Sequence, residues 1–136
     1  MSIRDEIKER LGDKIVDWYP HSSKRIYISI KPEDLKEIAN LLFKELNLRL
    51  ATASGQDTLG GIEILYHFSF DKTGEMISAR VLIKNKKNPE TDSIAAIFPG
   101  AEWIEREIWE MLGINFKGHP DLKRLLLAED WPEGKF

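Results

Sequence analysis

The sequence predicts a single α+β domain, a mostly antiparallel sheet covered by helices, with an extended C-terminal partner-binding segment. A chain of 136 residues is long enough to bury one core. Apolar residues alternate at period two in three stretches, which predicts strands, and recur at helical spacing in three others. Turn-forming residues separate these stretches, so each is expected to be a separate element.

The N-terminal part is expected to form a helix, a hairpin and a second helix. The first helix spans Ile3–Leu11, starts near Ser2 or Asp5 and is capped at Gly12. The arms of the hairpin are Ile15–Tyr19 and Arg25–Ile30, whose isoleucines alternate inward. Pro32 and two following carboxylates suit a second helix start. Its apolar stripe consists of Leu35, Ile38, Ala39, Leu42 and Leu46.

The middle of the chain is expected to form three strands. A polar strand, 48–58, is predicted to break around residues 55–57. The clearest strand places Ile62, Ile64, Tyr66, Phe68 and Phe70 on one face. After a turn at 71–74 the chain returns with Ile77, Ala79, Val81 and Ile83 toward the core. Residues 84–92 are interpreted as a solvated loop, and 93–98 as a short apolar turn.

Pro99 and Gly100 open a third helix, 101–112, whose two faces differ in character. The buried face is predicted to contain Ala101, Ile104, Ile108, Met111 and Leu112. Glu102, Arg106 and Glu110 lie opposite at spacings of four, so Arg106 can pair with a carboxylate one turn away on either side. For the run Glu105-Arg106-Glu107, a solvated ladder of ion pairs is the alternative to partner recognition. Trp103 and Trp109 project toward the charged side and indicate a docking face.

A turn and a basic pair follow this helix. Gly113 is a candidate C-cap, and the apolar residues at 114 and 116 alternate in a short extended piece. The Gly118-His119-Pro120 turn leads to Asp121 and the basic pair Lys123 and Arg124. His119 oriented by Asp121 is one candidate general base; a histidine that stabilises the turn or an interface is the favoured interpretation.

Composition excludes several kinds of site. The chain has no cysteine, which removes disulfides and thiolate ligands for zinc or iron–sulfur clusters. Its three histidines lie in separate segments, so no metal site is expected. With 20 basic and 23 acidic residues the net charge is −3, which disfavours nucleic-acid binding. The charged N-terminus and the absence of a long apolar run predict a cytosolic or peripheral protein without direct membrane insertion.

The region from the third helix onward resembles a known signature. Glu105-Arg106-Glu107 and 110–112 (Glu-Met-Leu) are followed, after six residues, by His119 and then by Lys123-Arg124-Leu125. This pattern is similar to that of the 30-kDa subunit family of respiratory complex I, the NADH dehydrogenase. The family includes a related subunit of energy-converting, membrane-bound nickel–iron hydrogenases.

The resemblance implies a non-catalytic, cofactor-free subunit of an electron-transport, proton-translocating oxidoreductase complex. It would dock onto the large quinone-site or hydrogenase-like subunit, beside an iron–sulfur small subunit, on the cytoplasmic side of the membrane. Iron–sulfur clusters and a quinone or nickel–iron site are then expected in the partners. The residues expected to bind the partner are Trp103, Glu105, Arg106, Glu107, Trp109, Glu110, Gly118, His119, Pro120, Asp121, Lys123 and Arg124.

The expected division of the chain is an α+β core over 1–100, a signature helix and docking segment over 101–126 and a tail over 127–136. Longer members of the family continue through a proline-rich, basic tail, whereas this sequence stops at Phe136, which favours the compact hydrogenase-type relatives. The alternatives are a stand-alone adaptor domain and, less favoured, a small enzyme that uses His119.

Overall fold

The computed structural model describes residues 2–119, which form helices packed on a mixed sheet. In chain order the elements are α1 (Ile3–Leu11), β1 (Ile15–Tyr19), β2 (Arg25–Ile30), α2 (Leu35–Lys44), β3 (Arg49–Thr58), β4 (Gly61–Phe70), β5 (Glu75–Ile83), β6 (Glu90–Asp92), α3 (Ala101–Leu112) and β7 (Asn115–Lys117). Short 3₁₀ turns, Gly12–Lys14 and Pro32–Asp34, precede β1 and α2. The predicted α+β class is confirmed.

Five strands form the main sheet in the order β1-β2-β5-β4-β3. Every neighbouring pair is antiparallel except β2 and β5, which run parallel. The β3–β4–β5 meander is made of consecutive strands, as the turns between them predicted. The first hairpin then joins the meander through the parallel β2–β5 pair.

One apolar core lies between the helices and one face of the sheet. The buried sheet residues include the predicted alternating sets, among them Ile28, Ile64, Phe68 and Val81. Helices α1 and α2 contribute Ile3, Ile7, Leu11, Leu35, Ile38, Ala39 and Leu42. The intervening residues of β4 and β5, such as Glu63 and Arg80, face the other way and form an ion pair at 3.2 Å.

Local capping agrees with the predicted start of the first helix. The Ser2 hydroxyl accepts a hydrogen bond from the Asp5 amide at 3.2 Å, and the Asp5 carboxylate accepts one from the Ser2 amide at 3.4 Å. This reciprocal capping box satisfies donors that a helix start would otherwise leave unpaired. Within residues 2–119, no helix is both long enough and apolar enough to cross a bilayer.

The predicted break in the third strand is wrong. β3 continues through Gly55, which pairs with Ile64 on β4, and the irregularity in register lies earlier, between Leu50 and Thr52. A Cβ at position 55 would lie 2.7 Å from Leu112 Cδ1 and 3.3 Å from Ile108 Cγ2 of α3. The glycine is therefore placed where α3 approaches the sheet, and it does not mark the end of a strand.

The predicted solvated loop ends earlier than expected. Its last three residues form β6, which pairs in parallel with β7, so that Thr91 is opposite Phe116. Both of these residues are buried, although Glu90 on the same strand is exposed. This two-stranded sheet brackets α3 in sequence and ties the segment before the helix to the segment after it.

Candidate partner-binding site

Helix α3 buries most of its predicted face, with Ile104 and Leu112 packed against the core, but two positions differ from the prediction. Ala101, Glu105 and Ile108 are buried, whereas Met111 is 73% exposed. The inward stripe therefore runs 101-105-108-112, a regular helical spacing that passes through a charged position. Met111 was predicted to be buried because the sequence offered an apolar residue there, and that prediction is wrong.

The outward side of α3 carries two large apolar side chains. Trp103 is 61% exposed and Met111 73% exposed, with the exposed Glu107 between them at a spacing of four on each side. We call Trp103, Glu107 and Met111 the outer stripe of α3. The guanidinium carbon of Arg106 lies 5.7 Å from the Trp103 ring centroid, a distance typical of a cation–π contact.

Glu105 was expected to be on the docking face or in a solvated ladder, but its side chain is buried within the chain. The Ser93 hydroxyl donates to Glu105 Oε1 at 2.5 Å, and the Ile94 amide donates to Oε2 at 2.9 Å. Burial raises the pKa of the carboxyl, while these two donors and the neighbouring His119 oppose that shift. The two hydrogen bonds hold the turn before α3 against the helix.

Tyr66 lies close enough to Glu105 for the charge of the Glu105 carboxylate to oppose ionisation of the phenol. Its ring is buried in the core, and its hydroxyl has no hydrogen-bond partner within residues 2–119. Burial first, and the Glu105 charge second, raise the pKa of Tyr66 well above its ordinary value. The phenol therefore stays neutral and adds no charge near Glu105.

His119 connects the end of β7 to the first turn of α3. Its Nε2 lies 2.9 Å from the carbonyl oxygen of Glu102, which can only accept, so Nε2 carries a proton and donates. The same nitrogen is 3.9 Å from Glu105 Oε1, and the side chain is only 1% exposed. A ring held in this way has little access to a substrate, which disfavours its use as a general base.

The backbone around these side chains agrees with the predicted turn chemistry. Gly113 caps α3 in the left-handed region, with φ 71°, and its amide donates to the Trp109 carbonyl at 2.8 Å. Gly118 also has a positive φ, 81°. The Ser93 amide donates to the Lys117 carbonyl at 2.9 Å, which links the turn before α3 to the end of β7.

We call Ser93, Ile94, Glu102, Glu105 and His119 the Glu105 cluster.

The other predicted partner-binding residues fall into three groups. Trp109 is half-buried and packs against the core, so less of it is available to a partner than of Trp103. Arg106 and Glu110 are half-buried, and Gly118 is exposed. Residues 120–136, with the predicted Pro120, Asp121, Lys123 and Arg124 and the predicted tail, lie outside the described part of the chain.

Sequence reasoning missed Ser93 and misplaced Glu105; it put Tyr66 on the buried face of its strand but did not foresee that Tyr66 lies near Glu105. The signal that could have placed Glu105 correctly is the helical spacing 101-105-108-112, which puts this glutamate in the middle of an apolar stripe. A carboxylate buried there needs hydrogen-bond donors from the same chain. Nothing in the sequence identified Ser93 as that donor. Among residues 2–119, no group of three or more histidines and carboxylates is arranged to hold a metal ion.

Comparison with known proteins gives one family. A family model described as respiratory-chain NADH dehydrogenase, 30 Kd subunit, matches residues 28–135. The C subunit of NADH-quinone oxidoreductase from Salinispora tropica is 32% identical over 110 residues, covering 76% of this chain and 45% of the relative. The C/D subunit of NADH-quinone oxidoreductase from Phocaeicola vulgatus is 41% identical over 71 residues, covering 52% of this chain and 14% of the relative. The chain thus spans less than half the length of either relative.

Two solved structures share the fold. A chain of the membrane-bound sulfane sulfur reductase, an archaeal respiratory membrane complex, aligns with a TM-score of 0.82 and 17% identity over 94% of this chain and 76% of that one. The trypsin-resistant fragment (1–134) of Nqo5 aligns with a TM-score of 0.70 and 21% identity over 90% of this chain and all of that one. At these identities the two structures support the architecture alone.

Proposed function

The chain belongs to the respiratory-chain NADH dehydrogenase 30 Kd subunit family, and from this premise we propose that it is a non-catalytic subunit of a complex I-like membrane oxidoreductase. Its work is positional: it docks onto the large subunit of the complex through the outer stripe of α3 and the segment that follows His119. Whether the complex is an NADH:quinone oxidoreductase or an energy-converting hydrogenase is decided by the partner subunits that the chain binds.

The observation that carries the proposal is the exposure of Trp103 and Met111 on one side of a single helix. Tryptophan is among the side chains that contribute most to binding energy at protein interfaces, and methionine adapts to irregular apolar surfaces. Arg106 over the Trp103 ring places a cationic group beside this stripe. A free domain gains little stability from apolar groups left in water.

The identity of the partner is supported by the Phocaeicola vulgatus relative. Its name joins two letters, C and D, and this chain covers 14% of its length. Most of that polypeptide is therefore something other than a domain of this kind. We infer that the second part is equivalent to the large subunit and that in this protein the same two units associate as separate chains.

The redox groups are assigned to the partners. The chain has no cysteine to supply a thiolate, so we propose that the iron–sulfur clusters and the quinone or nickel–iron site lie in the large and small subunits. On this proposal the protein is peripheral, held at the cytoplasmic side of the membrane through the complex.

Affinity purification of the tagged full chain from its native host in mild detergent tests the proposal. We expect recovery of a large subunit with an iron–sulfur small subunit and membrane proteins, and a metal assay distinguishes a nickel-bearing complex from a nickel-free one. Replacing Trp103 and Met111 together by alanine should reduce recovery of the large subunit about tenfold or more, as expected for loss of interface anchors. Val16→Ala, at a β1 position that is 61% exposed, is the matched control.

Recovery of the wild-type chain alone, under conditions where other membrane complexes stay intact, would contradict the proposal and favour a stand-alone adaptor. Unchanged recovery of the large subunit by the Trp103, Met111 double variant would place the interface elsewhere on the domain.

A further inference from the structure

The Glu105 cluster joins three segments that are separate in sequence. The turn after β6 contributes Ser93 and Ile94, α3 contributes Glu102 and Glu105, and the end of β7 contributes His119. The two bonds to the Glu105 carboxylate are buried and the His119–Glu102 bond is half-buried, and all three run between segments. The cluster uses two residues of the signature, Glu105 and His119, whose side chains are each only 1% exposed.

The hydrogen bonds form a closed circuit around the N-terminal half of α3. His119 Nε2 donates to the Glu102 carbonyl, and the His119 amide donates to the Phe116 carbonyl at 3.2 Å. The Lys117 carbonyl accepts from the Ser93 amide, and the Ser93 hydroxyl donates to Glu105, one helical turn from Glu102. Because the bonds are linked, breaking any one of them is expected to change both the position of α3 and the position of the chain after β7.

The circuit also fixes the position of His119 relative to α3. His119 is bound to the carbonyl of Glu102, the residue immediately before Trp103. His119, the last residue that the structure describes, therefore lies beside the Trp103 end of the outer stripe of α3. Buried polar networks that are satisfied favour one arrangement over its alternatives, since displacing a member leaves the others unpaired.

We propose that Glu105 and His119 are positioning residues for docking: through the Glu105 cluster they hold the first turns of α3 in one position on the domain, so that Trp103 meets the large subunit in a single orientation. This inference rests on the proposed function. The signature then contains two kinds of residue: Glu105 and His119 act inside the domain, and Trp103 acts at the interface.

The test measures binding of full-length variants to the large subunit that the wild-type chain retains, together with their thermal unfolding. His119→Ala removes the donor to Glu102 and should weaken binding about tenfold while the domain stays folded. His119→Gln places an amide donor near the position of Nε2 and should restore binding to within about threefold of wild type. His21→Ala, an exposed histidine in the β1–β2 turn, is the matched control and should bind like wild type.

A double-mutant cycle separates positioning from general stability. If His119 acts by placing Trp103, then His119→Ala should cost much less binding in a Trp103→Ala background than in wild type, because the anchor that it places is already gone. If the two substitutions act independently, their fold-losses in binding affinity multiply in the double variant. Should alanine at 119 prevent folding, Ser93→Ala opens the same circuit from the other end, and the same cycle with Trp103 applies to it.

The outcomes separate the inference from the proposed function. If the wild-type chain retains no large subunit, the proposed function fails and the inference with it. If wild type binds, then binding by His119→Ala equal to wild type, multiplicative effects in the cycle, or no rescue by His119→Gln overturns the inference alone.

Discussion

At the scale of the residue, Glu105 shows how one buried charge organises its surroundings. Its carboxylate accepts from the Ser93 hydroxyl and the Ile94 amide, so the cost of burial is offset by two donors held at short range. Removing such a partner is costly because the remaining donors are left unpaired in the interior. A glutamate inside an apolar stripe is therefore as structural as the isoleucine beside it.

Glu105→Gln tests the charge separately from the shape. Burial raises the pKa of the Glu105 carboxyl above its ordinary value of 4.5, so the folded chain binds a proton at pH values where the unfolded chain has lost it. The free energy of unfolding of wild type, relative to the glutamine variant, should therefore decrease as the pH rises through this window and stay level above it. Denaturant unfolding of both proteins between about pH 4.5 and 7.5 measures the difference. A difference independent of pH would show that Glu105 does not titrate in this way.

At the scale of the element, α3 and β3 are fitted to each other through Gly55. The Leu112 side chain occupies the space where a Cβ at position 55 would lie, and Ile108 limits the other side. The leucine methyl is the end of a flexible side chain, whereas the isoleucine is branched at Cβ and stiff. One added carbon can be accommodated by rotating Leu112, and a branched side chain cannot.

The loss of stability caused by substitutions at Gly55 should therefore increase with the size of the new side chain. Gly55→Val is expected to lower the free energy of unfolding by about 1–3 kcal/mol, the usual cost of overpacking, and Gly55→Ala by clearly less. Thermal or denaturant unfolding gives both values. Gly100→Ala is the control, since its Cβ would meet nothing within 4 Å and its φ of −63° suits alanine. Equal losses for alanine and valine would mean that α3 does not press on β3 at this point.

The elements also show where sequence reasoning succeeds and where it stops. The α1 and α2 stripes and the β4 and β5 alternations were predicted because each repeats one period over many residues. β6 was missed because it is three residues long and depends on a parallel partner, β7, that lies beyond α3. Gly55 was predicted to break the strand because sequence cannot show the helix that packs over it. Met111 and Glu105 were assigned to the wrong faces because polarity alone favoured an entirely apolar stripe.

At the scale of the whole molecule, the helices and the sheet share one contiguous core. Ile7 of α1 is completely buried in it, as is Ile64 of β4. A domain with one core is expected to unfold as one unit, so helix and sheet probes should report the same transition.

Ile7→Ala should lower the free energy of unfolding by about 2–5 kcal/mol, the range for removing a buried aliphatic side chain. Far-ultraviolet circular dichroism and tryptophan fluorescence should shift together. Val16→Ala, at an exposed aliphatic position, should change little. If α1 melts before the rest of the chain, the circular dichroism transition will separate from the fluorescence transition.

The parallel pairing of β2 with β5 has a consequence for the order in which the protein is assembled. The antiparallel pairs join strands that follow each other in sequence, so each pair can form as soon as its second strand is available. β2 can pair with β5 only later, because α2, β3 and β4 lie between them in sequence. Closing that long loop costs entropy before any contact repays it, so it is expected to be the slow step of folding. On the ribosome α3 emerges after β5, so the first hairpin can join the sheet before Trp103 and Met111 have left the exit tunnel. A chain at that stage exposes no outer stripe with which to engage a partner, so a chain that displays the stripe already has every strand of its main sheet outside the ribosome.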